Sequence, residues 1–230
     1  MSERKEIPYK IRFSRRRTIS ITISPDRGVV VGAPYRTSAG TIDKIVRGKS
    51  EWINRTLDGF SSLKRIDKKD GYADGDEIML FGRFHKLRII PSSESFIRLA
   101  DGDTIEAGSV GANDQVLARA MLERWYSRTA KQKLTRMFAE ILEKHASYGF
   151  GPSCFCVRKM KKRWGSCSSK GKIAVSYDLV RLDDIFSEYV IIHELCHLKH
   201  HNHSSDYYRL LSEVFPTWKS IRKELRTYLR

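Results

Sequence analysis

The 230-residue sequence holds only 6 prolines and 15 glycines, which excludes a collagen-like or low-complexity chain. It has no long apolar run. Val29-Val30-Val31 and Val190-Ile191-Ile192 fall far short of the roughly 18–20 consecutive apolar residues of a membrane-spanning helix. No apolar stretch follows the charged residues 1–6, so no secretory signal is expected and the expected location is the cytoplasm, away from membranes. The four cysteines, Cys154, Cys156, Cys167 and Cys196, are too few for a disulfide scaffold and are expected to be reduced. Acidic residues are the scarcer charge, 27 against 43 Lys and Arg, which gives a formal net charge of +16.

What is present describes a folded protein. Hydrophobic residues make up 40% and aromatic residues 10%, which excludes intrinsic disorder. At roughly 100–200 residues per domain, the length suits one large domain or two small ones. The positive charge is spread along the chain, with local runs at Arg15-Arg16-Arg17 and Arg158-Lys159-Met160-Lys161-Lys162-Arg163. Such runs usually face solvent, but the field would also recruit nucleotides, nucleic acid or acidic protein.

Alternating residues in Tyr9-Lys10-Ile11-Arg12-Phe13 and Ile19-Ser20-Ile21-Thr22-Ile23, then Val29-Val30-Val31 after a Pro25-Asp26-Arg27-Gly28 turn, predict a three-stranded meander. Ile42, Ile45, Val46, Trp52, Ile53, Leu57 and Phe60 predict one helix with Thr41 as N-cap, weakened by Gly48. Three short strands are expected at 78–81, 86–90 and 96–99. A long amphipathic helix follows at 113–145, stopped by Gly149 and Pro152. The fold class expected is α+β, with a small β-rich N-terminal module over 1–110 and a second domain over 111–230. In the second domain, strand character around a Gly165-Ser166 turn leads to a buried helix from 183 or 184 through 200. One or two further helices, about 204–215 and 216–228, close the chain.

That buried helix carries His193-Glu194-Leu195-Cys196-His197, an H-E-x-x-H sequence. Residues four apart share a helical face, so both imidazoles reach one metal ion while Glu194, one position round, reaches a water on it. Two imidazoles and an open position suit zinc, one ion per chain, and a carboxylate beside them suits proton transfer. A buried apolar helix carrying these three polar groups would be costly without such a partner. His200 lies seven residues, about 10 Å of helix rise, from His193 and cannot share one ion with it on a straight helix. The third ligand is expected to be His203, if the chain turns back after about His200. Asp206 is the second choice, and His200 and His201 are expected at the surface.

The segment Arg163-Trp164-Gly165-Ser166-Cys167-Ser168, the strand at Gly171-Lys172-Ile173, and His193-Glu194-Leu195-Cys196-His197-Leu198 with Asn202-His203-Ser204 closely resemble the YgjP-like family of zinc metallopeptidases. The resemblance extends over nearly the whole chain, through Arg15-Arg16-Arg17, Ala33-Pro34-Tyr35-Arg36, Lys49-Ser50-Glu51-Trp52-Ile53 and Leu80-Phe81-Gly82. It implies a zincin-like C-terminal half with His193, His197 and His203 as ligands and Glu194 as base. The family usually shows Phe-Trp where this chain has Tyr207-Tyr208. Those rings are expected to pack on the metal helix, the alternative being a hydroxyl that steadies an oxyanion.

Arg163 and Trp164 are candidate substrate contacts, with a tight turn placing Trp164 in the core and Arg163 in solvent as the alternative. Cys167 has no His/Asp partner pattern to activate it. Three functions follow, in order of preference. The first is a zinc metallopeptidase cleaving peptides or proteins. The second is a metal-dependent hydrolase of an anionic nucleotide such as a nucleoside triphosphate, and the third is a nucleic-acid or protein-binding module with structural zinc.

Overall fold

A computed structural model describes residues 7–24, 27–60, 64–65, 71–109 and 115–229. The expected turn at Pro25-Asp26 and the expected helix start at Asn113 lie outside the described residues. The chain divides into two compact units, Met1–Lys64 and Arg65–Arg230.

In the first unit, strands β1 (Tyr9–Ser14), β2 (Ser20–Ser24) and β3 (Gly28–Pro34) form a sheet in the order β1-β3-β2. The three strands fall where alternation predicts them, but they are not a meander. The most apolar strand, β3, takes the centre, parallel to β1 and antiparallel to β2. Val29, Val31 and Ala33 of β3 pack with Ile42, Val46 and Ile53 in a core of their own. The single expected helix is two, α1 (Ala39–Gly48) and α2 (Ser50–Phe60). The break falls at Gly48-Lys49, where glycine costs about 1 kcal/mol relative to alanine and the chain leaves helical geometry at Lys49. The N-cap is Ser38 rather than Thr41, with its Oγ accepting the Thr41 N–H at 3.3 Å.

A two-residue strand β4 (Lys64–Arg65) falls at the division. The second unit then builds a sheet from β5 (Glu77–Leu80), β6 (Arg83–Pro91), β7 (Phe96–Leu99) and β8 (Thr104–Ser109), in the order β5-β6-β8-β7. The expected domain boundary at 110 is therefore displaced to 64/65, because this sheet shares one apolar core with everything that follows. Helix α3 (Gln115–Lys144) supplies the spine of that core, burying Leu122, Tyr126, Ala130, Leu134, Phe138 and Ile141 along one face. The Tyr126 hydroxyl donates to the Met79 carbonyl at 2.9 Å. The β5–β6 hairpin turn, Phe81-Gly82, has positive φ at both residues, as a two-residue turn of this hand requires. It is held by Phe81 and Gly82 N–H groups donating to the carbonyls of Val180 and Arg181, each at 2.9 Å. A Cβ on Gly82 would displace the exposed Asp183 carboxylate, and the positive φ there strains any L side chain, so glycine suits this position.

A second small sheet has the order β10-β11-β9, made of β9 (Cys154–Arg158), β10 (Gly165–Cys167) and β11 (Lys172–Ser176). Gly165-Ser166 is thus strand, not turn. The reversal lies at 168–171, closed by the Gly171 N–H on the Ser168 carbonyl at 2.9 Å. After a 3₁₀ turn at Tyr177–Arg181 come α4 (Asp184–Cys196), α5 (Ser205–Val214), α6 (Trp218–Leu225) and β12 (Tyr228–Leu229). Among the described residues, no helix is long and apolar enough to cross a membrane.

Candidate metal centre

Helix α4 is buried along most of its length, packed against β10, β11, α3, α5 and α6. It is shorter than expected, ending at Cys196. The N–H groups of Leu198, Lys199 and His200 turn back onto the carbonyls of Leu195 and Cys196. That tight exit lets the chain double back, and Ser204 caps α5 by accepting the Tyr207 N–H at 3.4 Å. The outcome is that His193, His197 and His203 each present one ring nitrogen to a common point, all three nitrogens lying within 4.8 Å of one another. Nε2 of His193 and Nε2 of His203 are 3.3 Å apart. Nitrogens held at ~2.1 Å by one tetrahedral ion stand roughly 3.4 Å apart, a spacing the His193–His203 pair matches, so the three rings could hold a metal ion. Asp206 turns elsewhere, its carboxylate paired with Arg209 at 2.7 Å. His201 is exposed, and His200 contributes only its backbone carbonyl, 3.0 Å from His197 Nδ1.

Two of the imidazoles, His193 and His203, are biased towards the neutral form. Burial, then the neighbouring His197 and His203 rings and Arg222, push His193 down to about 3, and His203 is lowered by the same kind of causes. Neutral rings offer the lone pairs a metal needs. Of the two expected rings, Tyr207 packs on this helix, whereas Tyr208 packs on His203, Tyr207 and Trp218. Tyr207 is fully buried, stacked on His197 at 4.6 Å between centroids, with its hydroxyl 2.6 Å from His193 Nδ1 and donating to the His193 carbonyl at 3.1 Å. Tyr208 stacks on Trp218 at 5.0 Å and accepts from Arg222 Nη1 at 3.4 Å. No spacing rule in the sequence points from Tyr207 to His193, because that contact is made only when α5 folds back on α4.

Glu194, one position round from His193, is buried beneath β10. Burial pushes its carboxyl up to about 7, against the opposing pull of the Arg163 charge and of a hydrogen bond from the Cys167 backbone N–H. The approach of α4 to β10 explains a residue the sequence reading left as part of a turn. A Cβ on Gly165 would lie 2.6 Å from Glu194 Oε1, 2.7 Å from Glu194 Cγ and 2.9 Å from Val190 Cγ1. The available signal was a glycine inside a strand-like pattern, which marks a close approach. Trp164 is half-buried against the core, and its carbonyl accepts the Ser176 N–H at 2.8 Å. Arg163 is exposed and close enough to Glu194 for its charge to be felt there, whereas Lys161 and Lys162 are exposed without that relation. The Cys167 thiol is pushed up, first by burial and then by the Glu194 charge, so it is held protonated and unsuited to nucleophilic attack.

A family model described as YgjP-like, metallopeptidase domain, matches residues 17–228. Among solved structures, the chain is similar to the metallopeptidase zymogen abylysin of Pyrococcus abyssi, at 27% identity over 42% of this chain and 91% of that one, with a TM-score of 0.34. It is also similar to the metallopeptidase zymogen jannalysin of Methanocaldococcus jannaschii, at 24% identity over 40% of this chain and 92% of that one, with a TM-score of 0.35. No curated protein matches the chain.

Proposed function

Because the chain belongs to the YgjP-like family and carries its metallopeptidase domain, we propose that it is a zinc-dependent peptidase with His193, His197 and His203 as ligands and Glu194 as the proton-transfer residue. The observation that carries this reading is the placement of one buried carboxylate beside three converging imidazoles. When bound, zinc supplies a Lewis acid that makes water acidic and polarises a peptide carbonyl. The chain's own residues supply the rest. A Glu194 carboxylate oxygen accepts the proton of the attacking water, and the same carboxyl then delivers it to the leaving amine nitrogen. A group poised near pH 7 serves both directions. Strand β10 lies at the edge of its sheet, so the outer backbone groups not already bonded to Glu194 can pair with an extended peptide beside it. Arg163, at the start of that edge, would orient an acidic group of the substrate.

The net charge of +16 and the position of Arg163 favour a second reading, hydrolysis of a nucleoside triphosphate. One experiment separates the two. Zinc-loaded protein is given unfolded proteins, peptide libraries and each nucleoside triphosphate, beside Glu194→Gln. Peptide cleavage is expected, falling by about 10²–10⁴ in Glu194→Gln with zinc content unchanged. Triphosphate turnover without peptide cleavage would overturn the peptidase reading. In the same preparations, His203→Ala is expected to lose tight zinc binding and Asp206→Ala to keep it, and the reverse result would reassign the third ligand.

A further inference from the structure

We propose that Tyr207 is a positioning residue for the metal centre, its buried hydroxyl holding His193 in the tautomer that leaves Nε2 free as the ligand. This rests on the assignment of His193, His197 and His203 as ligands. A neutral imidazole carries one hydrogen, and either ring nitrogen can bear it. At His193 the choice decides whether the site is open. With the hydrogen on Nε2, it points at His203 Nε2, 3.3 Å away, and the two histidines bond to each other and occlude the ligand position. With the hydrogen on Nδ1, the His193 Nε2 lone pair faces the common point.

The Tyr207 hydroxyl biases that choice because it has one hydrogen and two neighbours. The His193 carbonyl, 3.1 Å away, can only accept, so it takes the phenolic hydrogen. The hydroxyl oxygen then presents a lone pair to Nδ1 at 2.6 Å, and both contacts of the hydroxyl are satisfied only when Nδ1 carries the imidazole hydrogen. The second ligand is arranged in the same sense by different means. His197 Nδ1 lies 3.0 Å from the His200 carbonyl, another group that can only accept, so His197 also keeps its Nε2 lone pair. A partner on the non-ligating nitrogen is how metal-binding histidines are generally oriented. Here one partner is backbone, present whatever the side chains, and the other depends on a single hydroxyl.

Tyr207→Phe removes that oxygen while retaining the ring that stacks on His197. Zinc affinity is measured by competition with a chromophoric chelator at fixed pH, and the His193 tautomer is read from ring ¹⁵N shifts of the metal-free protein. Wild-type protein is expected to show Nδ1–H at His193. The variant is expected to bind zinc about 10–100-fold more weakly and to move His193 towards Nε2–H, with His197 unchanged. Affinity within about twofold of wild type, or weaker binding with an unaltered tautomer, would overturn the proposal. Nε2–H at His193 in the metal-free wild type would also overturn it, and that measurement needs no variant. Failure of the wild type to bind zinc would instead sink the ligand assignment itself.

Discussion

Gly165 shows how one absent side chain sets the position of another. Glu194 occupies the volume that a Cβ at 165 would fill, and three of its would-be neighbours lie under 3.0 Å. Gly165→Ala must therefore push Glu194 and Val190 aside, an overpacking change expected to cost about 1–3 kcal/mol in stability. A carboxylate displaced by about 1 Å is expected to lower kcat about 10²-fold. Zinc content should stay at one per chain, because no ligand moves, and a normal kcat in that variant would show that Glu194 tolerates displacement. The residues proposed to hold and use the metal were nominated by spacing, since His193 and His197 share a helical face with Glu194 one position round and His203 needs only a turn to join them, and the fold does bring the three ring nitrogens within 4.8 Å of one another. The close approach at Gly165 and the contact of the Tyr207 hydroxyl with His193 were not legible. Both run between elements whose packing no local pattern records.

At the scale of elements, α3 and α4 were readable because long apolar periodicity leaves few alternatives, while short elements were decided by neighbours. The order β1-β3-β2 follows from which strand is most apolar, not from chain order. Strand β8, rich in small and polar residues, was missed because its identity comes from pairing with β6 and β7. The basic segment leading into β10 divides in the same way. Within it the charge of Arg163 is felt at Glu194, so Arg163→Ala alone is expected to lower kcat/KM about two- to fivefold, the size of an exposed charge interaction, and to flatten its dependence on salt. Lys161→Ala with Lys162→Ala should leave both within experimental scatter. Equal effects of the two sets, read from kcat/KM at low and high ionic strength, would mean that the segment acts as a diffuse field.

For the whole molecule, the division at Lys64 and Arg65 separates two apolar cores that share no residue. Residues 65–230 alone are expected to unfold cooperatively and to bind one zinc. Residues 111–230 alone are not, because they lack Ile78, Leu80, Leu87 and Ile105 of the common core. Circular dichroism melts and zinc stoichiometry check both, and cooperative folding of 111–230 would restore a boundary near 110. The order of these parts along the chain also bears on synthesis. Translation proceeds at roughly 5–20 residues per second with N-terminal units folding first, so residues 7–57 can complete their core while the rest is still being made. Every group assigned to the reaction lies between Arg163 and Tyr207, and α4 cannot be buried until α5 and α6 have emerged to cover it. A nascent chain thus lacks a finished site until α5 and α6 have been made, and is expected to be inert towards neighbouring nascent polypeptides until then.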